Sequence, residues 1–188
     1  MKTAEPIEED FDEIEDRLIL EYVETASPKL LHQMAMEWNW DSSAPFLNWL
    51  ANNPQTDKAT ALMLYWMSGP RYHKQYENAE AAQAGIGYKS SGFDFSENLE
   101  SKYLNGFFSN AQFSFDPNVK DHAGTTWTNE YADLKTVRNI PAIMFEKVDG
   151  KAVEPPADFI EGMPPDLYEK WETLYNEYYA DEDESEEG

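Results

Sequence analysis

The chain has 188 residues, 41% of them hydrophobic and 14% aromatic, enough for one domain with a sizeable core and too much for disorder throughout. Fourteen basic residues against 37 acidic leave a formal charge of −23, which argues against binding nucleic-acid phosphates or anionic membrane surfaces and favours a basic protein partner. With no cysteine, disulfides, thiolate chemistry and cysteine-held zinc are excluded.

The charge is uneven. Residues 1–24 hold ten acids and two bases, and residues 181–187 hold six acids and no base. No basic segment followed by an apolar run marks a signal peptide, and no apolar stretch approaches the ~18 residues of a membrane span. A cytoplasmic protein is the expectation.

In chain order, residues 5–24 predict an amphipathic helix with Ile7, Phe11, Ile14, Leu18 and Tyr22 as its apolar stripe. Its other face is nearly all acid, with Glu8, Glu9, Asp12, Glu13 and Asp16 as candidate docking residues. Ser27-Pro28 opens a second helix carrying Leu30, Leu31, Met34, Ala35 and Trp38. Asp41, Ser42 or Ser43 can cap a third at about 44–52, which Asn52-Asn53-Pro54 stops. Asp57 can cap a fourth at about 58–68, apolar all round and therefore buried. Gly69 suits the left-handed position after it, and Pro70 prevents continuation. A short helix at about 70–77 follows.

Residues 78–93 predict a helical extension and a loop, the best internal boundary. Ser96 can cap a helix at about 97–109 that Gly106 weakens by ~1 kcal/mol relative to alanine. Phe113 and Phe115 fit a short extended segment, and 128–138 another helix. Asp149-Gly150 between two short apolar runs signals a small β-hairpin over about 142–154. Pro155-Pro156 and Pro164-Pro165 bracket a linker, and a last helix runs to about 179 with Leu167, Trp171, Leu174 and Tyr178 as its stripe. Residues 181–188 are too acidic to bury and are expected to be a disordered tail.

No motif carries a recognisable reaction. His32, His73 and His122 make no HxxxH or HExxH pair, so neither metal nor cofactor is expected, and His32 reads as a surface or core-edge residue. Four of the six tryptophans lie between 38 and 66. Trp38, Trp40, Trp49, Tyr65, Trp66 and Tyr72 could line a pocket, with Asp41 or Asp57 as its carboxylate and Arg71 as an ion-pair partner. The spacing of both aspartates to the next apolar run favours helix capping, and the aromatics favour core.

Residues His32 to Trp38, Asn39-Trp40-Asp41, Phe46 to Leu50, Pro54, Asp57, Thr60-Ala61-Leu62 and Tyr65-Trp66 resemble a small bacterial domain of unknown function, number 4274. The likeness covers about residues 28–77. Where that family often has Cys-Asp and Gly-Thr, this chain has Thr56-Asp57 and Ala59-Thr60. The resemblance implies no reaction and transfers no catalytic residue.

The sequence therefore predicts a mainly α protein: a compact bundle of short helices in a single domain over 1–180, with one small hairpin and an acidic tail. The expected job is non-catalytic binding of a basic protein, in the specific form of an immunity-type inhibitor of a secreted toxin. Weighed against it are an enzyme or small-ligand binder using the Trp38–Trp66 aromatics with Asp41 or Asp57, and a structural or assembly protein.

Overall fold

Eight helices account for most of the described chain: α1 (Phe11–Thr25), α2 (Pro28–Glu37), α3 (Ala44–Asn52), α4 (Lys58–Met67), α5 (Pro70–His73), α6 (Ala79–Ile86), α7 (Ser91–Leu104) and α8 (Pro165–Glu186). The computed structural model describes residues 10–86, 91–121 and 123–186. Two compact units are present: residues 1–46 with 155–188, and residues 47–154.

In the first unit α1 packs on α8. Phe11 is the centre of that contact, with the rings of Tyr175 and Tyr178 each 5.4 Å away and Trp171 at 6.3 Å. Ile19 and Val23 continue the buried face, while Ile14 and Leu18 are only half-buried. The true seam is thus Phe11, Glu15, Ile19 and Val23, one position round from the expected stripe; Ile7 lies outside the described residues. Glu15 can sit on it because Trp171 Nε1 donates to its carboxylate at 2.7 Å. Ser27 caps α2 as expected, accepting from Leu30 N at 3.2 Å. His32 is fully buried rather than at the surface or core edge, because it faces inward beside Met34 and Ala35.

The segment before α8 holds a tight turn. Ile160 and Met163 pair through two backbone hydrogen bonds, and both central residues, Glu161 and Gly162, have positive φ (53° and 84°). That is the signature of the two-residue turn that joins antiparallel strands. A Cβ at Gly162 would stand 2.5 Å from Trp38 Cα, so the turn lies directly on the α2 terminus.

In the second unit α4 is the centre. Every residue from Ala59 to Trp66 is buried, as an all-apolar helix requires. Asp57 caps it through Ala59 N (2.9 Å), and Gly69, at φ 66°, ends it. α7 packs along α4, with α5 and α6 against α7. α7 starts at Ser91, so Ser96 is not a cap; it is fully buried in the helix interior. Gly106 does not weaken the helix but terminates it. Its φ is 70°, and the bonds Gly106 N to Tyr103 O (3.2 Å) and Phe107 N to Lys102 O (3.0 Å) close a Schellman motif.

The expected hairpin over 142–154 is absent. Ala142–Phe145 is a 3₁₀ turn opened by Pro141, and the two runs do not pair with each other. Val148 and Lys151 instead bridge separately to Phe115 and Phe113, so the described residues contain isolated bridges but no strand. Gly150 lacks the positive φ that a tight hairpin turn needs. It is small for another reason: a Cβ there would lie 2.3 Å from the Phe113 carbonyl oxygen. The helix expected at 128–138 is also absent. A single 3₁₀ turn (Trp127–Asn129) is followed by Tyr131 at φ 53°, and the N–H groups of Val137 and Arg138 both donate to the Lys74 carbonyl.

The acidic tail proves helical rather than disordered as far as Glu186. No glycine or proline interrupts it before Gly188, and extending an existing helix needs no new nucleus. No helix among the described residues is long and apolar enough to cross a membrane.

Candidate functional site

The residues singled out in the sequence fall into three environments. Glu8 and Glu9 lie outside the described residues. Asp12 and Glu13 stand exposed on the first turn of α1, where the helix dipole favours acids. Asp16 is half-buried and accepts Ser43 Oγ at 2.6 Å. Asp41 is exposed, its backbone N–H held by Asn39 Oδ1 at 3.0 Å, and Trp40 is half-buried.

Asp57 is spent on the fold. One carboxylate oxygen accepts Ala59 N at 2.9 Å and the other Gln112 N at 2.6 Å, which ties the 110–112 segment to the start of α4. Arg71 pairs with neither aspartate. Its Nη2 donates to the Thr128 carbonyl at 2.6 Å and its Nε to the Glu130 carbonyl at 3.2 Å. Tyr72 sits among Tyr76, Tyr131 and His73. The large aromatics are core: Trp38, Tyr65 and Trp66 are all buried, and Trp66 Nε1 donates to the Met144 carbonyl at 2.7 Å.

What sequence reasoning missed is a buried ionic chain in the second unit. Lys74 is 2% exposed and donates to Glu97 at 2.9 Å and to Glu100 at 2.8 Å. The second oxygen of Glu100 accepts the Tyr65 hydroxyl at 2.5 Å, and that of Glu97 accepts Arg138 Nη1 at 2.6 Å. Two carboxylates thus face two cations, with no net charge. Burial alone would raise the Glu97 carboxyl; the Arg138 and Lys74 hydrogen bonds outweigh it and hold the group below its ordinary range. Burial, reinforced by the Glu100 carboxylate, pushes the Tyr65 hydroxyl far up. His73, beside Lys74, donates from Nε2 to the Ser68 carbonyl (3.1 Å); its Nδ1 is buried without a partner, and burial lowers its pKa. This arrangement binds α4, α5, α7 and the Arg138 segment together. Its one legible trace is Glu97 and Glu100, three apart on a helix whose other face is apolar, which demands buried cations from elsewhere.

Two hollows open elsewhere in the same unit. One, of about 520 Å³, is lined by Phe115, Asp116, Lys120, Lys147, Val148 and Asp149 among others. The smaller, of about 230 Å³, is lined by Val119, Asp121, Thr125, Thr126, Trp127 and Glu130. Val119, Asp121 and Trp127 belong to both, so the hollows adjoin. Neither is lined by an expected site residue or by the ionic chain. The signal in the sequence was Trp127, a tryptophan between threonines with no apolar periodicity around it. No group of three or more histidine, aspartate or glutamate residues among those described could hold a metal.

Residues 26–104 match the family model of a domain of unknown function, DUF4274. No curated protein and no solved structure matches the chain significantly. The DUF4274 match runs from just before α2 to the last residue of α7. It includes Lys74, Glu97, Glu100, Tyr65 and the Asp57 cap. It omits Arg138, α1, α8 and both hollows. The buried ionic chain therefore lies within the matched residues except for Arg138, while both hollows lie outside them.

Proposed function

We propose that this protein is a non-catalytic, acidic protein-binding protein, and specifically an immunity-type inhibitor of a basic secreted toxin. The observation that carries the reading is the acid exposed along α1. Asp12, Glu13, Glu21 and Glu24 are all exposed there, with Arg17 the single base on the helix. A rigid helix presenting four carboxylates steers and orients a cationic surface. The engagement of both Asp57 oxygens by backbone amides supports it further, because that buried carboxylate is committed to capping α4 and to holding the 110–112 segment. A cytoplasmic location suits this role.

The test is capture of a cationic secreted protein encoded beside this one, using the full chain. Binding is expected at about 50 mM salt and should weaken at least tenfold by about 300 mM, as the Debye length falls from about 14 Å to below 6 Å. Recovery of no basic protein at the lower salt rejects the reading. Replacing Asp12, Glu13, Glu21 and Glu24 with the matching amides should slow association more than it speeds dissociation.

A further inference from the structure

The smaller hollow has an unusual balance of walls. Trp127 is 39% exposed and Val119 64% exposed, so a large ring and an aliphatic side chain both face solvent at one place. Two carboxylates, Asp121 and Glu130, share the lining, and no lysine or arginine does. Its 230 Å³ is below the ~300–1,000 Å³ of ordinary small-molecule sites and corresponds to about eight waters. That is the scale of one long side chain. The larger hollow next to it carries Lys120 and Lys147, the latter paired with Asp149 at 2.7 Å, so its charges nearly balance.

Both carboxylates are prepared. Asp121 Oδ1 accepts the N–H groups of Ala123 (2.9 Å) and Thr125 (2.8 Å), and Asp121 N donates to the Thr125 carbonyl (2.8 Å). Gly124, at φ 81°, lets the loop close. The side chain is therefore positioned before anything binds. Glu130 is half-buried, and the loss of water raises its carboxyl above the ordinary range. A partly desolvated carboxylate gains more from an arriving cation than an exposed one. Arg71 holds the Thr128 and Glu130 carbonyls, which fixes the wall while committing its own guanidinium to the backbone.

We propose that the hollow between Trp127, Asp121 and Glu130 is a docking pocket for an arginine or lysine side chain of a basic protein partner. The alkyl stem lies along Val119 and the indole, and the charged head meets the two carboxylates. The inference rests on the reading of this chain as a binder of a basic protein and locates where one anchoring residue enters. Aromatic residues in such positions are the common anchors of protein interfaces.

The pocket can be tested without the partner. The full chain, ¹⁵N-labelled, is titrated with N-acetyl-arginine amide, N-acetyl-lysine amide, N-acetyl-glutamine amide and spermidine, following the Trp127 indole N–H, which Trp127→Phe assigns. A saturable shift with the arginine or lysine compound and none with the glutamine compound is expected. Asp121→Asn, which keeps the Oδ1 acceptor of the loop, and Glu130→Gln should each weaken binding about tenfold with unchanged spectra elsewhere. Equal shifts with the glutamine compound, binding by spermidine alone, or affinities untouched in both variants overturn the proposal. Capture of a basic protein whose affinity is the same in Trp127→Ala as in the wild type also overturns it, while leaving the broader reading intact. Failure to capture any basic protein, with arginine still bound here, rejects the broader reading and the protein partner with it, and leaves only a site for a free arginine-like cation.

Discussion

A lysine with 2% of its surface exposed is held in this fold only by what surrounds it. Removing Lys74 leaves Glu97 and Glu100, one turn apart on α7, without their shared cation. Such a break in a buried pair costs about 3–5 kcal/mol. Lys74→Met should therefore lower the urea midpoint sharply, and Lys74→Met with Glu97→Gln and Glu100→Gln should recover much of the loss. A triple variant no more stable than the single one would mean that packing, not charge, holds the site. The glycines give a second contrast. At Gly106 nothing lies within 4 Å of a new Cβ, so Gly106→Ala adds only left-handed strain, about 1 kcal/mol. At Gly162 the strain is compounded by the Trp38 backbone 2.5 Å away, so Gly162→Ala should cost clearly more. Equal midpoints for the two in urea would refute that ordering. These positions also separate what the sequence discloses from what it hides. Asp57 was legible because a cap acts within three residues. Lys74 was not, since its partners lie 23 and 26 residues away on another helix. Asp149-Gly150 misled for the opposite reason: the local pattern was a hairpin's, but the glycine serves a close approach to a distant carbonyl.

Among elements, the helices were mostly visible from periodicity and stop signals, and α2, α3 and α4 begin and end within a residue or so of where those signals place them. The errors arose where tertiary contacts choose the face. On α1 both Phe11-Ile14-Leu18 and Phe11-Glu15-Ile19-Val23 are helical stripes; α8 selects the second because Trp171 offers an N–H to Glu15 and a ring edge to Phe11. The 128–138 segment failed as a helix because Lys74 O captures two of its N–H groups, a partner no local pattern reveals. Phe11 gathers four rings of α8, so Phe11→Ala should cost about 3–5 kcal/mol. Ile14→Ala, from the stripe the sequence favoured, should cost markedly less because Ile14 is only half-buried. Thermal unfolding of both variants checks the ranking, and a larger loss for Ile14→Ala would put α1 in the other orientation.

For the whole molecule, the first unit draws on residues from both ends of the chain, and nothing in a linear reading joins Phe11 to Trp171 on α8. The two units nevertheless share an electrostatic trait. In the first, burial and the hydrogen bond to Asp166 push the Tyr22 hydroxyl up to about 12. In the second, burial and the nearby Glu146 push Tyr103 up to about 12, and Tyr65 is raised as well. An unfolded tyrosine titrates near 10. Because the folded values are higher, the neutral hydroxyls stabilise the fold fully below about pH 10, and that contribution is lost as pH rises from about 10 towards 12. The urea midpoint should accordingly fall between about pH 9 and pH 11. Lysine deprotonation acts over the same range, so the decisive comparison is with Tyr22→Phe/Tyr103→Phe, which keeps every lysine. The double variant should show a shallower fall than the wild type, with Tyr65 supplying part of what remains. Parallel falls in the two proteins would show that the raised hydroxyls do not govern alkaline stability.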